Sequence, residues 1–327
     1  MRLHDHIPRG HFLHLPPHDG QASGARRVGV EVEFAGLSVT ETAAIIAGAW
    51  GGQASPEGSR DLVIAGGRLG KVKVELDISL AKKWAEDMAA RALGDLVPVE
   101  IITAPLRQDQ LAECETLLQR LERKGALGTQ AKLGYGFGVH LNPELPPSGP
   151  EAFIAIARAY GLLEHWLRQS APLDHARRVL PFVNPWPDAL IDALARQADW
   201  DMAAFAQTYA ELAPARGFGL DLLPALEDAC PQALAALPED QLKGGRPTFH
   251  YRLPESRIGD AEWSLAYEWN RWVLVEQVAT DPALLAALAE AWLQHRDRMI
   301  PLRTEFAQTV EDLLVREDIL GRAQGKL

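Results

Sequence analysis

Between residues 28 and 34, hydrophobic side chains take every second position: Val28, Val30, Val32 and Phe34. The positions between them hold Gly29, Glu31 and Glu33, so a strand here presents one apolar face and one face with two carboxylates beside a glycine. The alternation returns in GKVKVELDISLA, with Val72, Val74, Leu76 and Ile78 on one side and Lys73, Glu75, Asp77 and Ser79 on the other. PVEIITAPL and the glycine-rich GYGFGVHLNPELPP predict two further strands, each stopped by proline. RPTFHYRLPESR predicts a fifth, with Phe249, Tyr251 and Leu253 inward and His250 and Arg252 on the polar side.

Helical periodicity fills the gaps. TETAAIIAGAW is expected to start on Thr40 as N-cap and stop at Gly51-Gly52. DQLAECETLLQRLERKGALG is amphipathic, and in PEAFIAIARAYGLLEHWLRQ the residues Phe153, Ile156, Ala157, Tyr160 and Leu167 make the inward stripe. Residues 170–245 read as helical and proline-punctuated. EWSLAYEWNRWVLVEQVA, in which Trp263, Trp269 and Trp272 are expected in the core, and the segment from Pro282 to about Leu314 add the last helices.

Strands with one apolar and one polar face argue for an α+β fold with an antiparallel or mixed sheet. Helices would cover one face and leave an open polar cleft on the other. Nothing resembles an interdomain linker, so residues 25–327 are expected to form a single catalytic-type domain with a helical insertion at about 150–245. Residues 1–24, with five of the ten histidines and no periodicity, are expected to be a flexible leader or a strap on that domain.

Composition narrows the partners. No apolar run reaches the roughly 18–20 residues of a membrane helix, and no signal core precedes a cleavage site, so a cytoplasmic protein is expected. A net charge of −11 without a basic block argues against nucleic acid. Cys114 and Cys230 are the only cysteines and have no Cys-x-x-Cys partner. Cys114, in an acidic helix, is a poor nucleophile because neighbouring carboxylates raise a thiol's pKa.

The polar faces of the strands gather Glu31 and Glu33; Glu75 and Asp77; Glu100; His140 and Asn142; His250 and Arg252. Each face alone could be solvated surface, and Lys71 and Lys73 could simply pair with Glu75 and Asp77. Together they carry the oxygen and imidazole ligands of Mg²⁺ or Mn²⁺ and a guanidinium suited to a phosphoryl group. Alternate strand residues sit about 6.5–7 Å apart, close enough to converge on one ion or flank a pair.

The ordered set GVEVE, VELDISL, VEIITAPL, GFGVHLNPE and FHYRLP, from Arg27 to about Val278, resembles the glutamine synthetase and glutamate–cysteine ligase superfamily, and more closely its bacterial amidoligase branch. The resemblance implies a glutamine synthetase-like catalytic fold and an ATP-dependent carboxylate–amine ligase working through an acyl phosphate. It implies Glu31, Glu33, Glu100 and His140 as ligands of Mg²⁺ or Mn²⁺ and Arg252 on the phosphate, with Glu75 and Asp77 where relatives also place acids. Two departures stand out. Asn142 replaces the second histidine of Gly-x-His-x-His, and His250 stands where relatives have the glutamate of Glu-x-Arg, so His250 is expected to ligate metal in its place. Arg257 is expected either at the cleft mouth, in a catalytic role, or on the surface. Asn142 is expected to contact the cofactor, and Arg177, Arg178 and Asn184 to come from a proline-bracketed loop near it. Substrates would be a small-molecule or peptide carboxylate and an amine, with an amidotransferase as a conceivable ammonia source. Two other readings stay open: a kinase phosphorylating a guanidino nitrogen on the same fold, and a non-catalytic binding relative. The product, or the absence of nucleotide and metal binding, would separate them.

Overall fold

The structure, a computed structural model, describes residues 7–17, 25–58, 60–76, 98–131, 136–171 and 183–325. Its centre is a nine-stranded sheet in the order β2-β3-β4-β5-β1-β7-β9-β8, with β6 also pairing with β1. The strands are β1 (Arg27–Phe34), β2 (Gln53–Glu57), β3 (Asp61–Ala65), β4 (Val72–Leu76), β5 (Val99–Thr103), β6 (Leu106–Arg107), β7 (Val139–Pro143), β8 (Leu220–Asp221) and β9 (His250–Tyr251). Every ladder between them is antiparallel. The first strand in the chain lies in the middle of the sheet, between β5 and β7. It is therefore the natural floor for a site.

The apolar faces behave as their alternation predicts. Val28, Val30, Val32 and Phe34 are buried, as are Val72 and Val74; Leu76 is half-buried, and Ile78 lies outside the described residues. Helices α1 (Val39–Trp50), α2 (Leu111–Arg123), α3 (Pro150–Ser170) and α7 (Leu265–Ala279) share one hydrophobic core with that face. Trp272 of α7 lies 5.2 Å from Phe249 and 5.1 Å from Tyr251, ring to ring, and Phe153 of α3 stacks on Phe249. Trp263, Trp269 and Trp272 are all core residues. Cys114 is buried in α2, where burial, then Glu113 and Glu115, push its thiol up to about 12.

Between α3 and β9 lie α4 (Asp188–Arg196), α5 (Met202–Leu212), β8 and α6 (Leu223–Ala229); α8 (Pro282–Arg296), α9 (Arg303–Arg316) and α10 (Ile319–Ala323) follow α7. No single helix among the described residues is long and apolar enough to cross a membrane.

Three local expectations change. The cap of α1 is Ser38, in a capping box with Glu41, so Thr40 is already inside the helix. The β2–β3 hairpin has no counterpart in the sequence reading, because every residue of β2 is exposed and leaves no apolar alternation. The fifth expected strand shrinks to His250–Tyr251, since Arg252 N already donates to the turn carbonyl of Gly219.

Of the leader, residues 7–17 lie as a strap against α7. Ile7, Leu13 and Leu15 are buried. Asn270 accepts from Leu13 N at 2.9 Å and donates to His11 O at 2.8 Å, while Trp269 Nε1 donates to Leu13 O at 2.7 Å. Beneath it Arg26 forms a buried ion pair with Glu276, which also takes the Trp272 Nε1 hydrogen bond at 2.8 Å.

Candidate metal and anion cleft

Strand parity sends Gly29, Glu31 and Glu33 of β1 into a cleft of about 1130 Å³ on the sheet face away from the shared core. Register decides what stands beside them. Glu31 pairs with His140 and Gly29 with Asn142 across the β1–β7 ladder, and Glu33 pairs with Glu100 on β5. Glu100 in turn faces Glu75 on β4, so three glutamates from three strands make one row. Leu141 pairs with Tyr251, and that antiparallel register brings His250 alongside Asn142 and Arg252 alongside His140.

The side chains interlock. Glu31 Oε2 meets His140 Nδ1 at 2.8 Å, and Glu31 Oε1 accepts from Asn142 Nδ2 at 2.8 Å. Burial is the largest influence on Glu31 and favours its neutral form. The His140 hydrogen bond and charge, the His250 charge and the Asn142 amide outweigh it and hold the carboxyl well below the usual carboxylate range. Glu33 Oε2 accepts from Gly138 N at 2.7 Å, and its other oxygen lies 3.8 Å from His140 Nε2. His140 and His250 meet edge to face at 5.4 Å. Burial pushes the His250 imidazole below its ordinary value, against the pull of Asp221. At 3.5 Å from Asp221 Oδ2, its Nδ1 is buried and lacks a well-formed hydrogen bond.

Two groups could hold a cation: Glu31 with His140 and His250, and Glu33 with Glu100 and His140, the donor atoms of each lying within 4.8 Å of one another. Ligands of one Mg²⁺ at about 2.1 Å lie no more than about 4.2 Å apart, so small side-chain rotations would close either group on an ion. The donor set fits. It mixes hard carboxylates with imidazoles, the ligand types that Mg²⁺ and Mn²⁺ accept between them.

Glu75 lines the cleft but is paired with Lys73, which also reaches Asp61 at 3.4 Å; Lys71 pairs with Glu57 at 2.9 Å. Arg252 lines the cleft, with Nη1 donating to Arg216 O at 2.8 Å. Asn142 and Asn184 line it as well. Arg257 does not: its Nε donates to Glu255 at 2.8 Å beside a separate small cavity. Asp77, Arg177 and Arg178 lie outside the described residues.

The far wall comes from residues 215–246, and sequence reasoning missed its charges. Arg216, Lys243 and Arg246 all line the cleft. Arg216 Nε donates to the fully buried Asp221 at 2.9 Å, and Asp221 also receives Leu223 N at 3.0 Å. Behind this wall the buried Glu164 of α3 accepts from Arg168 Nη2 at 2.7 Å, Tyr160 Oη at 3.1 Å and Trp186 N at 2.8 Å, while Arg168 also holds Val183 O at 2.8 Å. The only local signal was the pair of glycines in KGGR, set between two cations.

An antiparallel α+β scaffold carrying acids and imidazoles on its polar face, under a basic wall, is thus the setting of the site. The chain belongs to the family described as "Putative amidoligase enzyme", whose model matches residues 24–274. No curated protein matches the chain.

Proposed function

We propose that this protein is an ATP-dependent carboxylate–amine ligase. The observation that carries the reading is the pair of side-chain groups able to close on a cation, Glu31–His140–His250 and Glu33–Glu100–His140, on the floor of a cleft that Arg252 also lines. Membership of the amidoligase family supports it.

In this reading Glu31, Glu33, Glu100, His140 and His250 hold Mg²⁺ or Mn²⁺, which supplies positive charge to the phosphate oxygens of ATP. Asn142 keeps Glu31 oriented. Arg252 stabilises the transferring γ-phosphoryl group as its bond to the β-phosphate breaks and a bond to a substrate carboxylate oxygen forms. ADP is released. The amine attacks the carbonyl carbon of the resulting acyl phosphate, phosphate leaves with the bonding electron pair, and the amine loses a proton to solvent. The positioned charges supply the catalysis, and no protein nucleophile enters.

The test is trapping with hydroxylamine. The full-length protein is incubated with ATP, Mn²⁺, hydroxylamine and a panel of carboxylic acids. A hydroxamate formed together with ADP and phosphate supports the ligase. In a parallel arm with guanidino compounds in place of the acids, a phosphorylated guanidino acceptor with no phosphate release makes it a kinase. Absence of both ATP turnover and nucleotide binding overturns the enzyme reading.

A further inference from the structure

His250 lines the cleft, yet its Nδ1 is buried and makes no hydrogen bond with a described residue. A buried polar atom left over in this way calls for an explanation. Asp221 stands next to it. The two residues pair across the β8–β9 ladder, and Asp221 Oδ2 lies 3.5 Å from the orphaned nitrogen.

Asp221 is fully buried and fixed in place. Its Oδ1 accepts from Leu223 N at 3.0 Å and its Oδ2 from Arg216 Nε at 2.9 Å. A carboxylate offers about four lone-pair sites, so Oδ2 has room for one more donor. Closing the gap to about 2.9 Å takes only a small swing of the imidazole.

The bond that one imidazole nitrogen makes decides what the other can do. With its proton on Nδ1, His250 keeps a lone pair on Nε2 for the cation group it shares with Glu31 and His140. With the proton on Nε2, it has none to give there. We propose that Asp221 is a positioning residue of the cleft floor: it accepts the Nδ1 proton of His250 and so fixes the tautomer and ring plane in which Nε2 is a cation ligand. Asp221 touches no substrate and acts through His250. The proposal rests on the ligase reading only in taking His250 as a ligand.

The test uses the full chain with ¹⁵N-labelled histidine, free of metal, at about pH 8, where imidazoles are neutral. His250→Ala identifies the His250 signals by their loss. The wild type should show Nδ1 protonated and Nε2 bare. In Asp221→Asn, an amide that keeps its oxygen for Leu223 N turns its amino group to His250, so the tautomer should reverse. Mn²⁺ affinity, followed by calorimetry without nucleotide, should fall about tenfold or more in Asp221→Asn, the usual effect of losing a carboxylate behind a metal-bound histidine. In a His250→Ala background the same change should cost no further affinity.

A wild type with Nε2 protonated overturns the proposal, even if Asp221→Asn fails to fold. So does an unchanged tautomer in Asp221→Asn. An equal loss of Mn²⁺ affinity with and without His250 also overturns it, and leaves Asp221 as an anchor of the fold. If Mn²⁺ does not bind the wild type, the metal reading falls, while the tautomer still decides whether Asp221 holds the ring.

Discussion

Glu33 and Glu100 stand directly opposite each other across the β1–β5 ladder, and Glu75 extends the row on β4. Like charges placed opposite on a sheet oppose folding, and Lys73, paired with Glu75, offsets part of that cost at one end of the row. Glu100→Gln tests whether a cation draws on the middle carboxylate. Its Mn²⁺ affinity should fall at least about tenfold in a calorimetric titration. Unchanged Mn²⁺ affinity would remove Glu100 from the ligand set.

Gly29 offers a way to block the cleft without touching a charge. A Cβ there would lie 3.5 Å from Asn142, an ordinary contact, so the protein itself tolerates a side chain. Gly29→Val should fold with an unchanged or higher melting temperature, since glycine weakens a strand and valine suits one. Binding of Mn²⁺–ADP should drop about tenfold or more. A variant that binds normally would show that the ligand does not use this part of the floor.

The Glu164 network makes a claim about stability. Glu164→Ala leaves the half-buried Arg168 beside Tyr160 without its carboxylate and releases the Trp186 amide. Breaking a buried pair by removing one partner costs about 3–5 kcal/mol. Urea unfolding should register a loss of that size, with a smaller one for Glu164→Gln. A loss below about 1 kcal/mol would mean that the wall does not depend on this carboxylate.

His165 predicts a pH dependence. Burial pushes its imidazole down to about 4, against the partial opposition of Glu164, and its ring stacks 5.6 Å from Trp292. A folded-state pKa below the unfolded value means that the unfolded chain binds the extra proton between about 6.5 and 4. This contribution is therefore complete above about pH 6.5 and declines as pH falls towards 4, by on the order of 3 kcal/mol at most. His165→Phe keeps an aromatic ring and should flatten that part of the stability profile relative to wild type. Parallel profiles would place the acid sensitivity elsewhere.

Much of the floor was readable because strand parity converts sequence spacing into a shared face. Glu31 and Glu33, and likewise Glu75, Glu100, His140 and His250, reach the cleft because each alternates with a buried apolar neighbour. The wall was not readable. Arg216, Lys243 and Arg246 sit in irregular backbone whose position is set by Asp221, Pro224 and the packing of α3, and no periodicity announces that. Arg257 was left open between the cleft mouth and the surface, and nothing in PESRIG indicates that Glu255 engages its guanidinium. The α1 cap, by contrast, was available: Ser38 and Glu41 have the spacing of a capping box, and Thr40 distracted from it.

The extended peptide of residues 7–17 has a practical consequence. A protein shortened to begin at Arg26, one residue before the first strand, would strip Ile7, Leu13 and Leu15 from the interior. It would also take from Asn270, Trp269 and Gln108 their hydrogen bonds to the backbone of Leu13 and Leu15. For anyone choosing where to cut, the first indispensable residues come well before the first strand.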